Sequence, residues 1–428
     1  MSINRRRFLG RMGLALSAMT IPGLFDHALA GTSEEDLSLL TPEEVSHMGD
    51  SDFWGWMQQA YTVSPNIINL NNGGVSPQPK VVQDAFIRYH QLANEAPSYY
   101  MWQILDQGRT ALREDMAAFA GCLPEEIAFN RNTTEGMNQV IFGLDLKAGD
   151  EVVLSKVDYP NVMTSWKTRE KRDGIVLKWV SLDLPSEDED YLVRSYVSQF
   201  TEKTKVVNLT HIINWIGQII PVQRIADEAH KRNIEVVVDG AHTFALLDFK
   251  IPDLHCDYFA TSLHKWLCAP FGAGLLYVKK DKISGLWFPE DDPHSEKITK
   301  FERLGTRSFP TEMAIGSALD FHLMIGPKRK EERLRYLKNY WMEAVQGIPK
   351  VHTHTSPDPR FGCVIGLVSI DGIKPNEFVS KLFAGYKIHT TNIDYENMSG
   401  VRVTPHVYTQ PRDLDKLVKA IGEIAANS

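Results

Sequence analysis

The chain has 428 residues, 43% of them hydrophobic and 23% charged, with 22 Pro and 29 Gly spread along it. A water-soluble globular protein of about two domains is expected, and collagen, coiled coil and wholesale disorder are excluded. The net charge is −8 although the first thirty residues are basic, so the remaining body is acidic enough to be a poor partner for nucleic-acid phosphate.

Asn4-Arg5-Arg6-Arg7-Phe8-Leu9-Gly10, a diluted apolar stretch from Met12 to Leu24 and the small-residue site Ala28-Leu29-Ala30 follow the three-part plan of a signal peptide. The paired arginines and the Gly, Ser and Thr within the apolar stretch resemble a twin-arginine signal, which implies export to the periplasm or beyond after cleavage following Ala30. The apolar stretch is too short for a permanent membrane anchor. Because this export route carries folded proteins, a cofactor acquired beforehand in the cytoplasm is expected. Residues 1–30 are thus read as signal and 31–66 as an amino-terminal segment.

Ile67 to Leu70 predicts a short strand running into the turn Asn71-Asn72-Gly73-Gly74. Helical periodicity follows over Val81 to Ala93 and Tyr99 to Ala120. From Ile127 to Val278 apolar runs alternate with amphipathic segments. Strands are expected at Glu151 to Leu154, Lys205 to Leu209, Glu235 to Asp239, Cys256 to Ala260 and Gly274 to Val278. Val222, Ile225, Ala226 and Ala229 fall at i, i+3, i+4, i+7 and make one apolar helix face. This alternation predicts an α/β fold with a mostly parallel sheet and helices on both faces. Beyond Pro310 two helices, a strand at Cys363 to Ile370, a helix at Pro375 to Phe383, a strand at Val401 to Thr404 and a helix from Pro411 predict a smaller α+β domain. The expected division is 67–309 for the large domain and 310–428 for the small one.

Asp239 ends an apolar strand, where open parallel sheets place ligands, and a buried carboxylate there needs a cationic partner. Lys265 lies past the next strand, between His264 and the turn Ala269-Pro270-Phe271-Gly272-Ala273-Gly274, although lysines ordinarily stay on solvated faces. An Asp that can keep a pyridine nitrogen protonated and a Lys that can form a Schiff base are the two groups that pyridoxal phosphate chemistry requires. Four cysteines, Cys122, Cys256, Cys268 and Cys363, lack CxxC spacing and provide neither a disulfide framework nor a zinc site. His352 and His354 share one face of a candidate strand without a third metal ligand nearby, so no metal is expected.

The chain from Ile67 to Ile424 resembles the class V aminotransferases of the fold-type I pyridoxal-phosphate enzymes in these residues and in the segments around them. The resemblance implies a seven-stranded-type large sheet, a homodimer and the following roles. Asn130-Arg-Asn-Thr133-Thr134-Glu135-Gly looks like the turn that meets the cofactor phosphate at a helix start, where exposed N–H groups attract a dianion. Asp158-Tyr159 is similar to an acidic-aromatic pair in which Tyr159 stacks on the pyridine ring. His211-Ile-Ile-Asn214-Trp-Ile-Gly217 is similar to the segment whose Asn214 reaches the cofactor hydroxyl. Asp239-Gly-Ala-His242 resembles the motif that assigns Asp239 to the pyridine nitrogen and His242 to the other ring oxygen. Ser262-x-His264-Lys265 resembles the motif with Lys265 as the cofactor lysine and Ser262 and His264 toward phosphate. Phe301-Glu302-x-x-Gly305-Thr306 looks like the segment lent to a neighbouring subunit's phosphate, and Arg402 in Val401-Arg-Val-Thr404 like the arginine that grips a substrate carboxylate. Taken singly, Asp239 also fits a turn, Tyr159 core packing, Thr133-Thr134 a helix cap and Arg402 an ordinary ion pair.

Desulfurases of this family need a nucleophilic Cys shortly before the arginine motif, and Tyr386 to Gly400 has none. The Leu70 to Gly74 start, Gly305-Thr306-Arg307 and Arg402-Val-Thr-Pro-His406 resemble the isopenicillin N epimerase-like subgroup. The resemblance implies a pyridoxal-phosphate enzyme acting on the α-amino group of an amino-acid-like substrate. Transamination, epimerisation, elimination and decarboxylation all stay open, with tailoring of a secondary metabolite or siderophore side chain as one expectation. A binding protein that kept the fold is the remaining alternative, and it would not need both Lys265 and Asp239.

Overall fold

Strands that are apolar on both faces need cover on both, and the computed structural model, which describes residues 50–289 and 292–428, supplies it. The signal segment lies outside the described residues. The chain begins with α1 (Asp50–Gln59), β1 (Ile68–Asn69), α2 (Lys80–Glu95) and α3 (Asp106–Ala120). The periodic stretch read as one helix from Tyr99 is divided: extended Ala96 separates it from α2, a short helical turn Pro97–Tyr99 follows, and Tyr100–Leu105 forms a wide π-helical turn before α3.

The large sheet follows, built from β2 (Ile127–Asn130), β3 (Glu151–Ser155), β4 (Val176–Val180), β5 (Thr204–Thr210), β6 (Glu235–Asp239), β7 (Tyr258–Ser262) and β8 (Gly274–Val278). Its order is β2-β8-β7-β6-β5-β3-β4. All neighbours run parallel except β8, which is antiparallel to both β2 and β7. The helices between these strands are α4 (Thr133–Gly143), α5 (Pro160–Asp173), α6 (Glu189–Val197) and α7 (Val222–His230). Strand alternation sorts them onto two faces. Val236 and Val238 join a core that contains Ile225, Ala226 and Ala229 of α7. Val237 points the other way, into a core with Met137 and Val140 of α4 and Trp166 of α5.

β7 lies two residues later than its apolar run suggests, because ladder pairing to β8 continues through Thr261↔Leu275 and Ser262↔Gly274 whatever the polarity of the side chains. At the other end the Asp257 carboxylate accepts from Val236 N, a side-chain contact ahead of the strand.

The carboxy-terminal part comprises α8 (Phe309–Ile325), α9 (Pro327–Val345), β9 (Val351–Thr353), β10 (Gly366–Ile370), α10 (Pro375–Tyr386), β11 (Ile388–His389), β12 (Thr391–Tyr395), β13 (Met398–Val403) and α11 (Pro411–Ala426). Four of its strands form an antiparallel sheet in the order β12-β13-β10-β9, and β11 pairs with β1. A third core, with Trp341, Val368, Phe378, Val401, Leu417 and Ile421, holds this sheet to α9, α10 and α11 and also takes in Leu70 beside β1. Phe309, Ile315 and Ala318 of α8 instead belong to the core under the large sheet. Among the described residues no helix is long and apolar enough to cross a membrane.

Candidate active site

β6 and β7 end side by side, so the residues just past them share one cleft at the carboxyl edge of the sheet. Asp239 is the last residue of β6 and is buried, with its Oδ1 accepting from Ala241 N at 3.0 Å. Gly240 follows because a Cβ there would lie 2.0 Å from the buried Phe259 ring. Burial raises the Asp239 pKa; the Ala241 N–H and the charge of Lys265 pull against it.

Past β7 the chain makes a tight turn in which Lys265 N donates to Ser262 O and Cys268 N to Lys265 O. This turn places Lys265 Nζ 3.1 Å from His242 Nε2. Burial lowers Lys265 to about 8, with Asp239 opposing the shift and Arg402 adding to it. His242 is buried and its pKa is pushed far below the usual histidine range by burial, Lys265 and Arg402. An amine with this depression is partly neutral at physiological pH, the form that attacks a carbonyl or accepts a proton.

On the neighbouring side Ser262 Oγ accepts from Thr133 N at 2.9 Å and lies 2.7 Å from Thr133 Oγ1. Thr133 is the first residue of α4, and the cap is Asn132, whose side chain accepts from Glu135 N, so the two threonines are not needed as caps. Thr134 is half-buried beside Thr133. His264 is half-buried, with Nδ1 donating to Ala273 O at 3.0 Å. A helix start with two hydroxyls against it is a receptor for a phosphate dianion.

Arg402, on β13, crosses from the small sheet to complete the cleft. Its Nη1 donates to Asn214 O and its Nη2 to Asn71 Oδ1, each at 3.0 Å, while Nε has no partner. No carboxylate pairs with it among the described residues, although it is buried and still cationic at a pKa lowered by burial to about 10. A buried guanidinium held only by a carbonyl and an amide retains free N–H capacity for an anion. Asn214 Oδ1 is likewise buried and unpartnered.

Tyr159 stands before α5 with 39% of its surface exposed, close enough to act on the charge of Arg402. Its neighbour Asp158 is fully buried and accepts from Ser155 N, Asn208 Nδ2 and Thr210 Oγ1, yet burial raises it to about 7. Thr306 is different from the other candidates: it is exposed on the loop after Glu302. The loop is anchored by Glu302, buried between Arg109 and Arg113 of α3 and the Phe129 N–H. His352 meets the Asp371 carboxylate and His354 the Ser369 hydroxyl, so each ring has its own local partner.

Sequence reasoning did not single out Asn71 as a site residue or Trp266, Arg109 and Arg113 at all. Asn71 had one usable signal, its place in a glycine turn after an apolar strand. The others lie on helical or apolar stretches whose pattern says only that they are packed.

A family profile described as aminotransferase class-V matches residues 68–414. Isopenicillin N epimerase from Amycolatopsis lactamdurans is 27% identical over 396 residues, covering 87% of this chain and 98% of the relative. A probable cysteine desulfurase from Synechocystis is 27% identical over 80% of this chain and 81% of its own length. Among solved structures, a C-DES variant with glycine covalently linked to its PLP cofactor shares the fold with a TM-score of 0.76 at 20% identity, covering 86% of this chain and 99% of that one. The cysteine desulfurase of Thermococcus onnurineus gives a TM-score of 0.77 at 20% identity, over 87% and 98% of the two chains.

Proposed function

The chain belongs to the class V aminotransferase family of pyridoxal-phosphate enzymes, and from that premise we propose that it is an exported enzyme acting on the α-amino group of an amino-acid-like substrate, as an aminotransferase or an epimerase. One observation carries this reading: the depressed Lys265 amine and the acid-free Arg402 guanidinium act on each other across one cleft, as an α-amino and an α-carboxylate group of a single substrate would require. The 27% identity to an isopenicillin N epimerase supports the epimerase branch.

The residues fit the cofactor. Lys265 is the amine that would tie it down, Asp239 would meet its ring nitrogen, and His242 and Asn214 its ring oxygen. Tyr159 would cover its ring, and Thr133, Thr134, Ser262 and His264 would hold its phosphate. When bound, pyridoxal phosphate draws electrons from the bond to be broken at the substrate's α-carbon. Asp239 provides the negative charge that keeps a pyridine nitrogen protonated. Arg402 aligns the substrate by a two-pronged bond to its carboxylate. Lys265 Nζ, once free, accepts the α-proton. Epimerisation further requires a proton delivered to the α-carbon from the face opposite Lys265, whereas transamination would require Lys265 to hand the proton to a carbon of the cofactor instead of back to the α-carbon.

Persulfide chemistry is not supported, because it needs an accessible thiolate. Cys256, Cys268 and Cys363 are buried, and burial pushes the half-buried Cys122 thiol up to about 12.

The deciding experiment is a spectrum of the purified protein followed by a screen of L- and D-amino acids in deuterated water. Spectral change with a keto acid product, or with inversion and deuterium at the α-carbon, is expected. Elimination or decarboxylation products alone would assign a lyase, and no response to any amine a binding protein.

Export and dimerisation belong to the same proposal. Arg5→Lys with Arg6→Lys should keep the folded protein in the cytoplasm; continued export would argue for another route. Gly305-Thr306 is offered to a second copy's phosphate site, so light scattering should give twice the chain mass. A stable, active monomer would refute that.

A further inference from the structure

We propose that Trp266 is a positioning residue: its indole N–H fixes the proton of the His242 ring on Nε2, so that His242 presents an N–H, and not a lone pair, to the Lys265 amine. The proposal rests on the reading that Lys265 is the amine that takes the cofactor.

The geometry leaves little choice of proton placement. Trp266 Nε1 lies 3.3 Å from His242 Nδ1, and an indole nitrogen can only donate. Nδ1 must therefore be the bare nitrogen. A neutral imidazole carries one proton, which is then on Nε2, facing Lys265 Nζ at 3.1 Å. A doubly protonated ring would present a donor to the indole as well and lose that bond. Against an Nε2–H, a neutral amine can accept a hydrogen bond and an ammonium cannot. The contact thus favours the reactive, uncharged form of Lys265.

The indole is held where this requires. Trp266 is fully buried, its ring lies parallel to His406 within 4° at 5.8 Å and is tilted 61° to His242. Its carbonyl accepts from Lys330 Nζ and from Cys268 Sγ, and His406 Nε2 lies 3.3 Å from Cys268 Sγ. One tight turn therefore carries both the reacting amine and the donor that sets the tautomer of its neighbour. The other charged groups facing Lys265 are Asp239 on β6, which favours the ammonium, and Arg402 on β13, which opposes it. Trp266 acts on the side of Arg402. The same Nε2–H remains the donor available for the cofactor's ring oxygen.

The test is nitrogen-15 NMR of histidine-labelled full-length protein, without and with cofactor, using His242→Gln to identify the signal. The parent should show His242 as a single tautomer with its proton on Nε2. Trp266→Phe keeps the stacking surface and removes the donor, and should give a mixture of tautomers. In that variant the pH midpoint for capture of pyridoxal phosphate should rise by about one unit, the size of one hydrogen bond. A parent whose His242 carries its proton on Nδ1 would overturn the proposal without any variant. So would a Trp266→Phe protein with both tautomer and midpoint unchanged. Capture that persists in Lys265→Ala would instead refute the assignment of Lys265, and the tautomer measurement, which needs no cofactor, then decides alone.

Discussion

Arg109 and Arg113 at one end of the large sheet and Arg402 in the cleft are alike in being withdrawn from water, and opposite in what they meet there. Glu302 is bonded to Arg113 through both carboxylate oxygens, at 2.8 and 2.9 Å, and to Arg109 at 2.6 Å. Burial alone would raise the Glu302 pKa; the bonds and charges of Arg113 and Arg109 and the Phe129 N–H hold it below the usual range. Glu312 adds a second carboxylate, paired with Arg109 and Arg307. Arg402 has a backbone carbonyl and the Asn71 amide, and no acid. A compensated cluster holds chain segments together, here the Phe301 to Arg307 loop to β2 and α3. An uncompensated one costs folding energy unless an anion from outside completes it.

The largest effect that would break this contrast is on stability. Glu302→Gln leaves Arg113 without a carboxylate and takes one of its acids from Arg109, which keeps Glu312, and should cost about 3 to 5 kcal/mol, read as a lower denaturant midpoint. A variant as stable as the parent would mean that the cluster holds nothing in place.

Next in size is Arg402→Lys, which should leave stability within about 1 kcal/mol but cannot reproduce a two-pronged bond. The loss of about 2 to 5 kcal/mol corresponds to roughly 30- to 5000-fold in kcat/KM toward a carboxylate-bearing substrate, with cofactor binding unchanged. Undiminished efficiency would place the substrate carboxylate elsewhere or remove it from the substrate.

Asn71→Ala sharpens the comparison, since it removes one of the two groups aiming Arg402 and leaves the charge. A cost of about 1.5 kcal/mol, roughly tenfold in kcat/KM, is expected. An equal loss toward substrates without a carboxylate would show that Asn71 acts by some other route.

The smallest effect is on the pH response. Only the neutral amine captures an aldehyde, so the rate of pyridoxal phosphate capture should rise with pH through a midpoint near 8, where burial holds Lys265. Arg402→Gln removes a neighbouring cation that favours the neutral form, and its midpoint should move up toward the ordinary lysine range. A midpoint that stays put would show that Arg402 is electrically remote from Lys265.

Much of the scaffold was legible because it depends on local period and residue chemistry. Val236, Val237 and Val238 are apolar on consecutive positions and therefore need cover on two faces, which they have. Val222, Ile225, Ala226 and Ala229 form a stripe, and all four are buried. β12 was missed because Thr391–Tyr395 alternates weakly and owes its existence to pairing with β13, with Tyr395 stacked on the distant Trp215 at 4.9 Å. The end of β7 was misjudged because backbone pairing outran the apolar run.

The candidate site divides in the same way. Asp239 and Lys265 stand out in the sequence because charged groups at strand ends have few structural uses, and Ser262 and Thr133 accompany them in short motifs. That Arg402 lacks an acid, that Asn71 reaches it across 331 positions, and that an indole decides which nitrogen of His242 carries a proton are properties of contacts. Strand and helix periods, the cofactor class and the residue types able to serve it can be read along the chain, because they follow from side-chain chemistry repeated at fixed spacing. Which charges are compensated and which are left open is settled by folding, because compensation depends on neighbours in space that no local pattern encodes.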